Sequence, residues 1–128
     1  MKFPVVRLER ALYGHVESGY YWQKYCQEQC EKAGFELISE NWPCVYFHPK
    51  DKLMLIVYVD DMKLSGPKDK IDAAWKRLSE NINLTVPKGN DKDSNVHTFL
   101  GCTHTTVGRK IKGKTVRCME YDASGAMK

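Results

Sequence analysis

"LMLIVYVDDMKLSG", residues 53–66, decides how the rest of the chain is read. Seven apolar residues, Leu53 to Val59, run straight into Asp60 and Asp61, and a partly apolar run follows. Upstream, the β-rich Cys44–Phe47 is separated from this run by the turn-forming "HPKDK". The pattern predicts two strands and a tight turn, with "MKLSG" as the return strand. Apolar residues fill odd and even positions of 53–59 alike, which predicts a strand covered on both faces.

Two like charges at the end of a core strand need a reason. Asp is frequent in turns because its side chain bonds nearby backbone N–H groups, so a polar hairpin tip is one reading. The other is a cation site. Neighbouring carboxylates in a partly dry place either share a proton or bind a positive ion. Mg²⁺ takes oxygen ligands of this kind and keeps positions open for water and phosphate. Two such ions about 4 Å apart stabilise the attacking and leaving oxygens of phosphoryl transfer. A turn between rigid strands is a suitable mount for ligands that must be placed closely.

Outward from the hairpin, the pattern predicts two helices. In "YYWQKYCQEQCEKAGF", residues 20–35, Trp22, Tyr25, Cys26, Gln29, Cys30 and Ala33 form one stripe at helical spacing. Ser18 is its candidate N-cap, Gly34 its terminator, and Glu28 and Lys32 pair at i,i+4. Pro67 and Asp69 open the second helix, with Ile71, Ala74, Trp75, Leu78 and Ile82 as its buried stripe. Residues 1–17 carry mixed signals, with Gly14 and Gly19 framing a loop. Asn83 to Asp93 reads as an exposed loop. "NVHTFLGCTHTTV" reads as one strand, turned by "GRKIKGK" into another, "TVRCM", and the last residues read as the start of a helix. The fold class expected is α+β, a mainly antiparallel sheet with helices on one face. Residues 1–128 are read as a single domain, with a helix, hairpin and helix to residue 83 and a strand and hairpin after it.

Composition sets bounds. With 128 residues, 42% hydrophobic and 28% charged, the chain suits one modest core. No apolar run approaches membrane-spanning length, and the N-terminus lacks the features of a signal peptide. An intracellular protein is expected, cytoplasmic or nuclear, with no membrane partner. The five cysteines are an odd number, which argues against a disulfide framework. Residues 1–83 hold 12 basic and 12 acidic side chains, while 84–128 hold 8 and 4 and so carry the whole +4. Arg109, Lys110, Lys112, Lys114 and Arg117 lie together with no acid among them. Such a patch suits a nucleic-acid backbone, or else a hairpin tip whose cations discourage edge pairing.

Other groups have quieter readings. Cys26 and Cys30 share a helix face, as core thiols or as a metal pair, and core is the preferred reading. Cys102 and His104 share a strand face, and Cys118 across the hairpin would complete a partial Zn²⁺ site, though no Cys-x-x-Cys supports it. His15, His48 and His97 read as loop or edge residues without partners. Trp22 and Trp75 read as helix-to-sheet packing, and Trp42 as a loop anchor.

"YVDD", Tyr58 to Asp61, resembles the aromatic-x-Asp-Asp box of reverse transcriptases. Other stretches match in order. "VVRLERALYG" with "ESGYYW" resembles the segment opening the palm helix of copia-type LTR-retrotransposon polymerases. "ENWPCVYFHPKDKLMLIVYVDDMKLSG" resembles their Asp-Asp hairpin, and "HTFLGCTHT" the strand holding the Leu-Gly of the primer grip. The resemblance covers about residues 5–122. It implies a polymerase palm that adds nucleotides to a primer on an RNA or DNA template, with two Mg²⁺ (or Mn²⁺) ions. Asp60 and Asp61 would be the catalytic, metal-binding carboxylates. Tyr58, Val59, Gly14, Ser18 and Gly19 would border the primer end and the incoming dNTP. Leu100 and Gly101 would hold the primer, and the basic hairpin would approach the duplex. Fingers, thumb and RNase H of the polyprotein are the implied partners.

The departures are specific. The family uses a third carboxylate upstream of "ALYG", which nothing in this sequence supplies. After Gly14 the family usually has Leu-Lys-Gln, where this chain has His15, Val16 and Glu17. The common Pro after Ser18 is Gly19. The expectation is therefore a palm fragment inactive by itself, with a non-catalytic, nucleic-acid-binding palm remnant as the alternative.

Overall fold

The computed structural model describes residues 4–85 and 96–125. Residues 4–17 form turns without regular structure. Helix α1 spans Ser18–Lys32 and α2 spans Lys68–Ser79. The strands are β1 (Glu36–Leu37), β2 (Val45–His48), β3 (Leu53–Tyr58), β4 (Asp61–Ser65), β5 (Val96–Phe99), β6 (Cys102–Ile111) and β7 (Lys114–Asp122). They make two antiparallel sheets, β1-β2-β3-β4 and β5-β6-β7. The class is α+β.

The core lies between the first sheet and the two helices. Cys26, Cys30 and Ala33 of the α1 stripe meet Leu53, Leu55 and Val57 of β3 and Ala74 and Leu78 of α2, all buried. Ile82 is buried too, although α2 has already ended at Ser79. Gln29 is buried on the stripe, and its amide oxygen accepts from Lys32 Nζ at 3.3 Å, so Lys32 turns to Gln29 and not to Glu28. Tyr25 is exposed, yet its hydroxyl donates to Asn81 O at 2.7 Å and ties α1 to the end of α2.

Gly34 ends α1 at φ +90°. Phe35 N–H bonds Cys30 O and Gly34 N–H bonds Glu31 O, the paired bonds of a Schellman motif. A Cβ on Gly34 would lie 2.6 Å from His48 Nε2, so the position admits only glycine on two counts. Ser18 is the first helical residue, not the cap. Its hydroxyl reaches back to Leu12 O and fixes the preceding loop.

Two expectations are corrected. Strand β3 alternates: Leu53, Leu55 and Val57 are buried, while Met54 and Tyr58 are exposed and Ile56 is half-buried. The helices cover one face only. An uninterrupted apolar run cannot by itself distinguish one covered face from two. Second, 96–107 is not one strand. Phe99 pairs with Cys102 around a two-residue turn, Leu100 and Gly101, at φ 53° and 72°. Positive φ at both positions is the sign pattern of a type I′ hairpin turn, which favours glycine second. Lys112 and Gly113 repeat it at φ 49° and 78°.

Asn83 to Thr85 is described and irregular, while the rest of the expected polar loop lies outside the described residues. The residues after Met119, expected to begin a helix, instead continue β7 to Asp122 and are irregular through Gly125, and 126–128 lie outside the described residues. None of the described helices is long and apolar enough to cross a membrane.

Candidate functional site

The aspartates sit where β3 turns into β4. Tyr58 pairs with Asp61, leaving Val59 and Asp60 as a two-residue loop. Val59 takes φ +51°, and Asp60 does not share the positive sign. That is the φ pattern of a type II′ turn, whose first central position normally belongs to glycine. A β-branched residue there is strained. Trp22 Nε1 donates to Val59 O at 3.1 Å, so α1 braces the turn.

Both carboxylates are exposed. Among the described residues neither joins an ion pair. Asp60 lines a groove of about 530 Å³. Gly14, Ser18, Gly19, Tyr58 and Val59 line the same groove. Residues far apart in sequence are thus gathered around one groove beside the turn. Asp61 does not line it and stands opposite Tyr58 at the start of β4.

The donor set fits a hard divalent ion in part. Two exposed oxygen-bearing side chains at a braced turn leave most coordination positions to water and phosphate, as Mg²⁺ prefers. No cluster of three or more His, Cys, Asp or Glu suited to a metal exists among the described residues. Among the described residues no Lys or Arg lines the groove either. His15 does line it, and its Nδ1 accepts the Glu17 N–H at 3.3 Å.

Leu100 and Gly101 lie in the second sheet, at the β5–β6 turn. The basic residues are arranged differently from a single patch. Directly paired residues share a sheet face and neighbours alternate. Arg109 opposite Val116 and Lys114 opposite Ile111 occupy one face, while Lys110 opposite Thr115 and Arg117 opposite Gly108 occupy the other. Lys112 is at the tip. Arg109 is ion-paired with Glu120, which holds its guanidinium above the usual value through that hydrogen bond. The sequence-level patch missed Glu120 because the acid lies on the partner strand.

The cysteine and histidine readings change as well. Cys118 pairs with Val107, on the face opposite His104 and Cys102, so these three do not converge on an ion. Cys26 and Cys30 are buried with sulfurs 4.0 Å apart, as a core pair. The bond to Cys26, with burial, raises the Cys30 thiol far above its ordinary value. His48 is buried against Phe35 and its Nδ1 accepts the Asp51 N–H at 3.0 Å. His104 is buried, its Nδ1 accepting from Lys63 Nζ at 2.7 Å, and this bond joins the two sheets. His15 is an exposed loop residue and His97 an exposed strand residue, as the sequence reading expects. Trp42 is 64% exposed, and its backbone N–H and C=O bond Ser39 O and Val45 N–H in the loop before β2.

Comparison with protein-family models, with curated proteins and with solved structures finds no match to this chain.

Proposed function

We propose that the chain is part of the palm of a copia-type LTR-retrotransposon reverse transcriptase, an RNA-directed DNA polymerase. One observation supports this most. The turn carrying Asp60, with Tyr58 and Val59, lies on the same groove as Gly14, Ser18 and Gly19. These are the residues that the resemblance assigns to the primer end and the incoming nucleotide. Asp60 and Asp61 would hold Mg²⁺ or Mn²⁺, whose chemistry is to stabilise the charges that develop on the oxygens at phosphorus. The chain's own contribution is placement. Trp22 and the β3–β4 ladder fix where the turn stands, and the glycine-framed loop borders the same groove.

A second reading is favoured because no Lys or Arg among the described residues lines the groove. With no fixed cation to meet a triphosphate, the fold would serve as a nucleic-acid-binding palm remnant, contacting a backbone through Lys110, Lys112, Lys114 and Arg117. Binding of a labelled primer–template with and without Mg²⁺ separates the two. On the polymerase reading Mg²⁺ strengthens binding, and Asp60→Asn abolishes that increment. On the remnant reading the same substitution leaves binding unchanged or tightens it through lost repulsion. In either case the purified chain extends no primer unaided. Absence of binding at low salt would refute both readings.

A further inference from the structure

A second cleft lies on the other side of Trp22. It encloses about 400 Å³ and is lined by Trp22, Trp75, Asp60, Met62, Ile82 and Leu84, with Asn83 and Thr85 at its polar end. Trp22 and Asp60 line both the cleft and the larger groove, so they form the partition between them. The walls are held in place. The Trp22 indole is fixed by its bond to Val59 O and packs on Tyr25, ring centres 6.1 Å apart. Tyr25 in turn donates to Asn81 O and holds the chain leading into Ile82 and Leu84. Ile82 N–H bonds Leu78 O at 3.0 Å and extends α2's end toward the cleft.

The chemistry of this lining is one-sided. Among the described residues its charged member is an acid, and no Lys, Arg or His lines it. Two indole side chains line it, whose rings are electron-rich on their faces, and Met62, Ile82 and Leu84 line it with apolar side chains. Indole faces attract cations through the ring quadrupole, most strongly when the cation is poorly hydrated. A small hydrated metal ion would gain nothing from three aliphatic side chains. An anion or a phosphate would meet Asp60. The complement is a cation wrapped in carbon.

We propose that this cleft binds an alkylated ammonium group, of the choline or trimethyl-lysine type, with Trp22 and Trp75 facing the methyl groups and Asp60 supplying the counter-charge. The site does not depend on the nucleotidyl-transfer reading. It shares Asp60 with that reading, so divalent metal and organic cation would compete.

The test is a pair of ligands differing in charge alone. Choline and its neutral isostere 3,3-dimethylbutan-1-ol are titrated into the full chain without divalent ions, following the three indole N–H signals by NMR. Choline is expected to shift the Trp22 and Trp75 signals saturably and to leave Trp42 unmoved. The neutral alcohol is expected to bind at least ~5-fold more weakly, since it forgoes the charge–quadrupole attraction. Asp60→Asn, an exposed substitution that leaves the core untouched, is expected to weaken choline similarly. Trp75→Leu is a second variant for the ring contribution. Equal response to choline and the alcohol, an unchanged affinity in Asp60→Asn, or no saturable shift of Trp22 and Trp75 would each overturn the proposal.

Discussion

The indole N–H of Trp22 donates to the carbonyl oxygen of Val59 at 3.1 Å, and this bond ties helix α1 to the turn that carries Asp60. Thirty-seven residues separate the two partners. The position of the candidate site therefore depends on helix–sheet packing as well as on the hairpin. Trp22→Phe keeps most of the ring and removes the donor. It is expected to lower stability by about 1 kcal/mol, the worth of one such bond. Urea unfolding measures the loss, and faster amide exchange at Asp60 and Asp61 would place it at the turn.

Val59 holds a left-handed backbone at φ +51° that a β-branched residue adopts at a cost. Val59→Gly is expected to stabilise the fold by roughly 0.5–1 kcal/mol, the relieved strain exceeding the added flexibility of the unfolded chain. The thermal midpoint checks this. A lower midpoint would show that the Val59 side chain contributes packing that outweighs its backbone.

Asp51, 12% exposed at its side chain, accepts from Arg77 at 2.6 Å and lies 3.6 Å from His48. The Arg77 hydrogen bond holds its carboxyl below the ordinary value of 3.8. The unfolded chain therefore takes up this proton first as pH falls. The stability that Asp51 contributes is complete above about pH 4 and is lost as pH drops further. Asp51→Asn is expected to destabilise at pH 7 and to flatten the acid limb of the stability curve. An unchanged acid limb would contradict the assignment.

His104 sits under opposite pressure. Burial, then the neighbouring Lys63 charge and His97, keep its pKa below the ordinary 6.5. The neutral ring accepts the Lys63 bond, so protonation removes the link between the sheets. Stability from this junction is present above the ordinary imidazole value and is lost as pH falls below it. NMR titration is expected to place His104 below the ordinary 6.5, and Lys63→Met is expected to raise it. A His104 pKa at or above 6.5 would contradict this picture.

Much of the first sheet was legible because helical and strand periods rest on local side-chain spacing. The stripe Cys26, Gln29, Cys30 and Ala33, the hairpin around Asp60, and the end of α1 at Gly34 all follow from residue types at fixed offsets. What escaped depends on partners distant in sequence. The β5–β6 hairpin hid in an apparently continuous β-rich run because Leu100 does not advertise a turn, although Gly101 beside it does. His48 looked unpartnered because Phe35 reaches it only through the fold, and His104 was grouped with Cys102 and Cys118 because Lys63, its actual partner, lies on another strand far away in sequence. Glu120 hid its pairing with Arg109 across the ribbon in the same way. In the site, Tyr58, Val59 and Asp60 could be grouped from the sequence alone, but their common groove with Gly14, Ser18 and Gly19 required the packing of α1.

The central claim is that Asp60 and Asp61 are adjacent in order to hold a divalent cation, and Mn²⁺ added to the isotope-labelled chain tests it most directly. The account predicts selective paramagnetic broadening of Tyr58, Val59, Asp60 and Asp61, abolished by Asp60→Asn. Uniform broadening across the chain, or broadening at the turn that survives Asp60→Asn, would contradict it.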